Sequence, residues 1–536
     1  MNVLRSLSLV LVLVSVALPV SPLCSVGASS PLDYDLVVYG GTAAGAATAI
    51  EAGRHGLRVV LLEPGHHIGG MLTGGLSATD IGNPNVIGGI SREFFLRAAQ
   101  QYHLSDLKTS SDWRFEPHVG EEILLRMLRE AHVQVELGEK LQEQHGVLKE
   151  NGRIAGLRSS DGRIWRGKIF ADCSYEGDVM TQAGVSYTWG REPTSEYGES
   201  LAGVQARTPH HQFAFPVSSY DAHDKLLPEI DPGPLAAPGT GDRKIQAYNF
   251  RVILTQNAAD MLPFPKPEGY DAHQFALLAR YFKEFEKKNG RSPRLNEVTL
   301  PMKIPNDKAD FNNDGPFSTD YIGRSWSYPQ AGYAERQRIW KDHLRYTEGF
   351  FYFLANNPAV PSNLQREMRS WGLPKDEFRD TEHWPFQLYV REARRMIGAY
   401  VMVQQDLQTQ RTKPDPIGMG SYNSDSHNVQ RISTPDGHVE NEGNVEVPVS
   451  PYQIPYRSIV PKHSEVQNLL VPVCFSATHV AYSSMRMEPQ YMILGQAAGL
   501  AAYLAVQQQQ DVQSIDTKKL QVILQEEKAV LSLSQQ

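Results

Sequence analysis

The sequence predicts an α/β fold into which a second, α+β domain is inserted, and three observations support this prediction. Between residues 34 and 54 a short apolar run ends in a glycine-rich turn that opens a helix of small residues. The middle of the chain is instead rich in proline, aspartate, aromatic residues and charge. Strand-like apolar runs and a second helix of small residues return after about residue 445. An α/β unit interrupted by a different domain accounts for all three.

The composition is that of a globular protein that can bury a large core. Of its 536 residues 41% are hydrophobic and 21% are charged, with a formal net charge of -8. The chain has no excess of basic residues, so its composition does not indicate nucleic-acid binding. The three cysteines are too few for an iron–sulfur cluster, and no Cys/His group has zinc spacing, so no metal is expected. Cys173 and Cys474 are expected to be buried free thiols.

The first 28 residues predict an export signal and not a part of the fold. Arg5 supplies a positive start, Leu7–Leu18 is an apolar core, and Val26–Ala28 offers small residues to a signal peptidase. The core is shorter than the ~20 residues that span a bilayer. A retained N-terminal anchor is the alternative reading. We therefore expect an exported, periplasmic or secreted protein without stable membrane insertion.

The elements follow from local patterns along the chain. The first part is predicted as strand Asp35–Tyr39, a helix over 46–52, strand Leu57–Glu63, amphipathic helix Glu121–Ala131, strand Val133–Leu137 and a hairpin over 151–172. Later elements are helices Glu335–Asn356 and Pro385–Gln408, strand Asn468–Cys474, helix Met492–Val506 and a terminal helix over 515–531 capped by Asp516. These elements divide the chain into a signal peptide (1–28), a first domain (33–208), an inserted substrate or cap domain (209–444), the return of the first domain (445–510) and a helical tail (511–536).

The turn after the first strand predicts a Rossmann-like dinucleotide site. Gly40 permits a tight turn, Gly45 permits close packing of helix on strand, and the amides at the helix start favour a pyrophosphate. Thr42 replaces the middle glycine of the G-x-G-x-x-G pattern. Glu63 ends the second strand, where a carboxylate can bind an adenosine ribose. The predicted cofactor contacts here are Gly40, Gly41, Thr42, Ala43, Ala44, Gly45 and Glu63.

A second glycine-rich stretch at residues 66–75 favours FAD over NAD, because an extended cofactor needs more backbone contacts than its adenosine half can use. Two later segments are expected to return to the cofactor. One is the loop between Asp172 and Asp178, and the other is the helix at Gly495, whose N-terminal dipole would stabilise negative charge on the flavin. The further predicted FAD contacts are His67, Gly69, Gly70, Met71, Asp172, Gly177, Asp178, Glu488, Gly495, Gln496, Ala497 and Ala498.

With these motifs the sequence resembles the bacterial FAD-dependent oxidoreductases, which are often exported and include members labelled as xanthan-lyase-associated. Their flavin domain is related to those of succinate dehydrogenase and glutathione reductase. The segments that carry the resemblance are Gly40–Gly45, Gly69–Gly75, Tyr175–Asp178, Gln246–Arg251, Tyr389–Arg395, Tyr452–Arg457, Ser484–Pro489 and Leu494–Gly499. The resemblance implies a flavin fold and redox chemistry, and it does not imply one substrate.

The segment before the Gly495 helix contains the expected catalytic groups. Because the flavin N5 would exchange the hydride, the protein needs only a proton handler and an orienting charge. We hypothesise that His479 moves the proton and that Arg486 binds a substrate oxygen or the flavin O2 edge. The alternative is a structural ion pair between Arg486 and Glu488, with His479 packed in the loop.

Two other histidines and one strand-like run give further site hypotheses. His427, in the polar run Asp425–His427, caps the substrate pocket or lies in a solvated loop. Asn249 and Arg251 are additional pocket candidates. His67 precedes a glycine pair at a looser spacing than the flavin-linked histidines of succinate dehydrogenase-like proteins, so it is a candidate for a covalent link or for a pyrophosphate or packing role.

These inferences predict an FAD-dependent oxidoreductase that transfers a hydride between the flavin N5 and a small polar substrate. A sugar derivative or a hydroxy acid is the expected class. No second nucleotide motif is visible in the middle domain, so electrons would pass to an external acceptor or to oxygen. The alternatives are a flavoprotein catalysing a non-redox elimination or isomerisation, and a cofactor-free binding protein on the same fold, which only the Thr42 departure supports.

Overall fold

The computed structural model describes residues 33–533, so the predicted signal peptide at 1–28 lies outside the described residues. The first part of the chain forms β1 (Asp33–Tyr39), α1 (Ala43–Arg54), β2 (Val59–Glu63), α2 (Gly89–Gln101), α3 (Pro117–Glu130), β3 (Gln134–Leu137), β4 (Val147–Glu150), β5 (Arg153–Arg158), β6 (Ile164–Asp172) and α4 (Asp178–Gln182). The predicted βαβ unit, amphipathic helix and hairpin are confirmed, with their ends shifted by a few residues.

The middle of the chain forms short strands and a few longer helices. In order these are β7 (Tyr187–Thr188), α5 (Thr194–Tyr197), β8 (Val252–Thr255), β9 (Met261–Leu262), α6 (Ala276–Asn289), β10 (Thr299–Ile304), β11 (Lys308–Asn313), α7 (Tyr333–Asn356), α8 (Ser362–Met368), β12 (Leu373–Pro374), β13 (Arg395–Met396), α9 (Gln404–Gln408), β14 (Pro416–Gly420), β15 (Ser424–Ser426), β16 (Gln430–Ser433) and β17 (Val439–Glu442). Helix α7 confirms the prediction over Glu335–Asn356.

The helix predicted over Pro385–Gln408 is wrong, because only α9 at its end is helical. The backbone amides of this segment bond to distant segments instead of to residues four positions earlier. Tyr389 donates to the Asn249 carbonyl, and Met396 donates to the Cys474 carbonyl. The run of arginine, glutamate and alanine has high helix propensity, but propensity is weak against tertiary hydrogen bonds.

The C-terminal part returns to the first domain. It forms β18 (Val445–Val447), β19 (Tyr452–Pro455), β20 (Leu469–Leu470), α10 (His479–Met485), α11 (Glu488–Gln508) and α12 (Thr517–Glu526). The strand predicted over Asn468–Cys474 shortens to two residues. Asp516 caps α12 as predicted, accepting from the amides of Lys518 and Lys519. Helix α11 begins at Glu488, so Gly495 lies inside it and not at its start.

One seven-stranded sheet organises both ends of the chain. Its order is β3-β2-β1-β6-β5-β4, and β20 pairs with the second half of β6. Strands β1, β2, β3, β6 and β20 run parallel, while β5 is antiparallel to both of its neighbours, β4 and β6. The carboxyl ends of the parallel strands therefore share one edge, which is where α/β sheets of this kind bind ligands.

Helices α1 and α11 pack with their backbones in direct contact. A Cβ at Gly495 would overlap the carbonyl oxygen of Ala44, and a Cβ at Gly499 would overlap that of Thr48. Both helices are almost entirely buried. The small residues of the two helices therefore serve close helix–helix packing, which joins the two ends of the chain.

The middle segment is joined to the first domain by several strand pairs. Strand β7 pairs with β13, β14 pairs with β19, and β15 pairs with β18. The last two pairings cross the boundary predicted at residue 444. Among residues 33–533, no helix is both long enough and apolar enough to span a bilayer.

Replacing Gly495 by Ala tests the contact between α1 and α11. Alanine has the higher helix propensity, but its Cβ would overlap the Ala44 carbonyl, so we expect a loss of about 1–3 kcal/mol in the free energy of unfolding. Urea denaturation measures the loss. Gln507→Ala, at an exposed position of the same helix, should stay within about 0.5 kcal/mol of the parent protein. A G495A variant as stable as the parent would contradict the packing argument.

Candidate active site

The first glycine-rich turn has the geometry of a nucleotide-binding loop. Gly40 has φ 95°, and a Cβ there would lie 2.6 Å from the Ser174 nitrogen. A Cβ at Gly45 would overlap the Gly40 carbonyl. The hydrogen bonds of Thr42 explain why a threonine replaces the middle glycine of the pattern. Its hydroxyl donates to the Cys173 carbonyl at 2.8 Å and accepts from the Gly45 amide at 3.2 Å, so it caps α1 and ties the turn to β6.

The start of α1 leaves backbone donors for an anion. The first amides of a helix have no partner within it. Thr42 satisfies the Gly45 amide, and within residues 33–533 no acceptor bonds to the amides of Ala43 and Ala44. These two amides and the helix dipole suit a pyrophosphate group.

Glu63 lies beside this turn at the end of β2. Its carboxylate accepts from the Gly41 amide at 2.6 Å and from the Gly65 amide at 2.5 Å. Burial raises the pKa of Glu63 to about 7, although the two amides favour the ionised form. A carboxylate held in this way has acceptor capacity left for ribose hydroxyls.

A cavity of about 180 Å³ opens at the carboxyl edge of the sheet. Its walls include Tyr39 at the end of β1, Pro64 after β2 and Ser174 after β6. Helix α7 closes the opposite side with Tyr333 and Trp340. Its position beside Glu63 and the turn makes it the expected place for an adenosine.

The second glycine-rich stretch is bonded to the first turn. The Gly69 amide donates to the Gly41 carbonyl at 2.6 Å. Next to it, the Met71 amide donates to the Tyr175 hydroxyl at 3.0 Å, and that hydroxyl donates to Glu488 Oε1 at 2.8 Å. These hydrogen bonds bring four segments together along the edge of the sheet. They are the two glycine-rich segments, the loop after β6 and the start of α11.

Unpartnered polar atoms cluster where α11 begins. Arg486 Nε, Glu488 Oε2 and both amide atoms of Gln490 are buried without a hydrogen-bond partner among the described residues. An orphaned buried polar group costs about 1–3 kcal/mol. A ligand with polar edges would satisfy these atoms, so together with the turn and Glu63 they fit the predicted FAD.

Three predicted contacts at the end of β6 and in the loop after it have structural roles in the protein. Asp172 accepts from the Ser174 and Met180 amides, which shapes the loop. Gly177 has φ 69° at the start of α4. Asp178 forms ion pairs with Arg336 and Arg394, both at 2.7 Å. These contacts support the loop, and a direct contact of Asp172 or Asp178 with the cofactor stays a prediction.

The predicted contacts in the middle of α11 lie away from the helix start. Gly495 packs on α1, and Ala497 and Ala498 are fully buried. The Gln496 side chain accepts from the Ile90 amide at 3.0 Å, which fixes α2. The end of α11 that faces the site is instead built from Glu488 and Gln490.

His67 has carboxylate partners on both ring nitrogens. Nδ1 lies 3.2 Å from Glu121, Nε2 lies 2.9 Å from Asp380, and the ring stacks on Phe386 at 4.0 Å between centroids. Burial opposes protonation, but the two acids raise the pKa of His67. This arrangement favours the packing role over a covalent link to the flavin.

A second, polar cavity of about 200 Å³ adjoins the start of α11 through Arg486 and Tyr389. It is lined by Asp80, His211, Arg251, Leu300, Asn312, Asn313, Asp314, Tyr389, Arg391, Tyr422, Asp425, His427 and Glu446. Two of the sequence candidates, His427 and Arg251, lie on its wall. This cavity is the candidate substrate site.

Two of the three predicted catalytic residues, His479 and His427, belong to one hydrogen-bonded network, and Arg486 has separate partners. His479 Nδ1 lies 2.7 Å from Glu392, and Gln246 links Glu392 to the backbone of His427. On the other side, Arg486 donates to the Tyr389 hydroxyl at 3.0 Å. His427 reaches the cavity, whereas His479 is buried behind it on Glu392. The structure shows no ion pair between Arg486 and Glu488 in the described part of the chain.

His427 is held as a neutral imidazole. Nδ1 lies 2.7 Å from Asp320, which in turn pairs with Arg391 at 3.0 Å. Burial, followed by the charge of Arg391, lowers the pKa of His427 to about 4. Burial opposes ionisation of Asp320, but Arg391 and His427 hold its pKa below its ordinary value. Asp320 therefore keeps the proton on Nδ1 and leaves Nε2 free as a base.

The sequence interpretation missed Asp320, Tyr389, Arg391 and Glu392 as site residues. Three of them lie in the segment that was predicted as a helix. Their sequence signal was the dense group of charged residues at 391–395, and the structure shows that these charged side chains are buried. Such charges are buried only when they are paired, which usually indicates a site.

Two groups of His and Glu side chains have the spacing of metal ligands within the described ranges. They are Glu51, His55 and Glu527, and Glu116, His118 and Glu377. In the second group the ammonium of Lys308 lies 2.6 Å from Glu116 and 3.0 Å from Glu377, where it supplies the balancing charge. Cys173 and Cys474 are buried and free, as predicted.

Comparison with known proteins identifies a family. The family model described as FAD dependent oxidoreductase matches residues 35–524. A vinyl phenol reductase of Lactiplantibacillus plantarum is 55% identical over 49 residues, which are 9% of this chain and 10% of that protein.

Solved structures match smaller parts of the chain. An L-proline dehydrogenase from P. horikoshii matches with 16% identity and a TM-score of 0.24, over 30% of this chain and 59% of that one. The anhydrotetracycline hydroxylase OxyS from Streptomyces rimosus has 16% identity and a TM-score of 0.22, over 30% and 36%. The chain thus spans 59% of the first of these structures and 36% of the second, which is less than two thirds of either.

Replacing Glu63 by Gln tests the nucleotide site. The amide loses a charged acceptor, so we expect the Kd for FAD to rise about tenfold or more. Titration of the apoprotein with FAD, followed by flavin fluorescence, measures it. Glu150→Gln, at an exposed position of β4, is the control and should bind FAD normally. Equal affinity in E63Q and the parent would remove Glu63 from the site.

Proposed function

This chain belongs to the FAD dependent oxidoreductase family, and we propose on that basis that it oxidises a hydroxyl group of a small, sugar-like substrate in the polar cavity. FAD is its cofactor, and when bound it supplies the acceptor for a hydride. The observation that carries the proposal is His427, a neutral imidazole on the cavity wall whose Nδ1 is held by Asp320.

His427 is suited to remove a hydroxyl proton. Its Nε2 has no proton when Nδ1–H donates to Asp320, and the lowered pKa keeps it neutral at physiological pH. As the substrate C–H leaves as hydride with two electrons, the hydroxyl proton passes to Nε2, so a carbonyl forms. Asp320 stays ionised and stabilises the imidazolium that results, as in other acid–imidazole pairs.

The charge of the cavity favours a neutral polyol over a hydroxy acid. Four carboxylates line it, those of Asp80, Asp314, Asp425 and Glu446. The two guanidiniums on its wall are already paired, Arg251 with Asp310 and Arg391 with Asp320. Carboxylates accept hydrogen bonds from sugar hydroxyls, whereas they repel a substrate carboxylate. The volume is below the ~300–1,000 Å³ of drug-sized ligand sites, which favours a single small molecule.

Arg486 and His479 have supporting roles in this proposal. Arg486 holds the Tyr389 hydroxyl and the Asp425 carbonyl on the cavity wall, so it orients groups that would contact the substrate. His479 and Glu392 support Gln246, which bonds to the His427 backbone. The electrons then pass to an external acceptor or to oxygen.

Export is part of the same proposal. The resemblance to exported, xanthan-lyase-associated relatives and the pattern of residues 1–28 support a periplasmic or secreted protein with a carbohydrate-derived substrate. N-terminal sequencing of the protein recovered from its producing cells tests export, since cleavage after Ala28 is expected.

Replacing His427 by Asn tests the base. We expect kcat to fall by about 10²–10⁴-fold while FAD stays bound. In the parent protein, activity should fall as pH drops through about 4, because His427 becomes protonated there. Asp320→Asn should also lower kcat, because the proton on Nδ1 loses its acceptor. His438→Asn, at a partly exposed histidine of the same segment, is the control. Full turnover in H427N would exclude this base.

Anaerobic bleaching of the bound FAD tests the substrate class. Neutral monosaccharides and sugar alcohols should reduce the flavin, and 2-hydroxy acids should not, because four carboxylates line the cavity. The product should form with stoichiometric reduction of an added acceptor. Turnover without any acceptor reduction would favour the non-redox elimination or isomerisation. If only hydroxy acids bleached the flavin, the substrate class would be hydroxy acids and not neutral sugars.

A further inference from the structure

The start of α11 contains a carboxyl group that the proposed hydroxyl oxidation does not use. Glu488 is only 1% exposed. Its Oε1 accepts from the Tyr175 hydroxyl at 2.8 Å, while Oε2 has no partner among residues 33–533. Both amide atoms of Gln490, two residues onward, are also unpartnered and buried among the described residues. Two neighbouring buried side chains without partners indicate a ligand at this helix end.

The position of this end identifies the part of the cofactor that reaches it. Gly495 touches Ala44 at the pyrophosphate turn. Glu488 precedes Gly495 by seven residues, which places it ~10 Å further along the helix axis. Tyr175 links Glu488 to the Met71 amide in the second glycine-rich stretch. An FAD that binds with its pyrophosphate at the turn and its adenosine beside Glu63 brings its flavin end to Glu488.

The surroundings of Glu488 favour a protonated carboxyl group. The groups that face it are the hydroxyls of Tyr175, Tyr389 and Tyr491. The nearby Arg486 bonds to Tyr389 and to the Asp425 carbonyl, and not to Glu488. Burial raises the pKa of Glu488 to about 8, although the hydrogen bond from Tyr175 lowers it.

We propose that Glu488 is a buried carboxylic acid that donates a hydrogen bond from Oε2 to the polar edge of the bound flavin. Tyr175 holds its other oxygen and fixes its orientation. A neutral donor avoids a carboxylate beside a ring that becomes more negative on reduction. Glu488 thereby sets how the reduction potential depends on pH. The inference depends on the FAD cofactor and does not depend on the proposed substrate or on the direction of the reaction. The inference and the proposed function can therefore fail independently.

The test is the midpoint potential of the FAD-loaded protein, measured without substrate over a pH range that brackets about pH 8. Above the pKa of the oxidised form, reduction takes up one extra proton, so the potential should fall more steeply by about 30 mV per pH unit. Glu488→Gln should lack this added slope. Glu51→Gln, at a buried glutamate of α1 that faces His55, is the control and should retain it.

Tyr175→Phe keeps the test decisive if E488Q does not retain FAD. Removing the Tyr175 hydrogen bond should move the change of slope to higher pH, because that bond favours the ionised carboxylate. An added slope that persists in E488Q, or that stays at the same pH in Y175F, would overturn the proposal. So would a parent protein whose slope is constant across the range.

Discussion

The backbone contact between α1 and α11 is the constraint on which the rest of the site depends. Only glycine at residues 495 and 499 lets the two helices approach this closely. The contact aligns the start of α1, which suits the pyrophosphate, with the start of α11, which presents Glu488 and Gln490. Arg486, just before α11, donates to the Asp425 carbonyl of the middle segment. A site assembled from both ends of the chain therefore rests on one helix pair.

The buried charges form the second layer of the site. Arg391, Asp320, Glu392 and Arg395 are almost completely excluded from water, and each has an oppositely charged partner. Pairing of this kind rarely adds much net stability, because desolvation offsets the attraction. Its effect is to hold His427 neutral and oriented. In the proposed reaction the middle segment supplies the base, and the sheet edge supplies the binding site for FAD.

The sequence predicted those features that depend on short-range patterns. The strand, turn and helix at residues 33–54, the acid at Glu63 and the small-residue helix could all be recognised, because each needs few residues in fixed order. The conformation of the segment at 385–396 could not be predicted, because its backbone forms hydrogen bonds with residues far away in sequence. The start of α11 was misplaced for a related reason. Gly495 looked like a ligand-facing glycine, whereas its missing side chain makes room for the carbonyl of Ala44.

One edge of β6 pairs with two different strands, and this has a consequence for how the chain folds. Its first half pairs with β5, which is adjacent in sequence, and its second half pairs with β20 through Phe170 and Leu469. Closing so long a loop is entropically costly and slows folding. During synthesis the second half of β6 remains an open edge until β20 has emerged. The nucleotide domain can therefore close only after the whole middle segment has been synthesised, and until then its edge is open to wrong pairing.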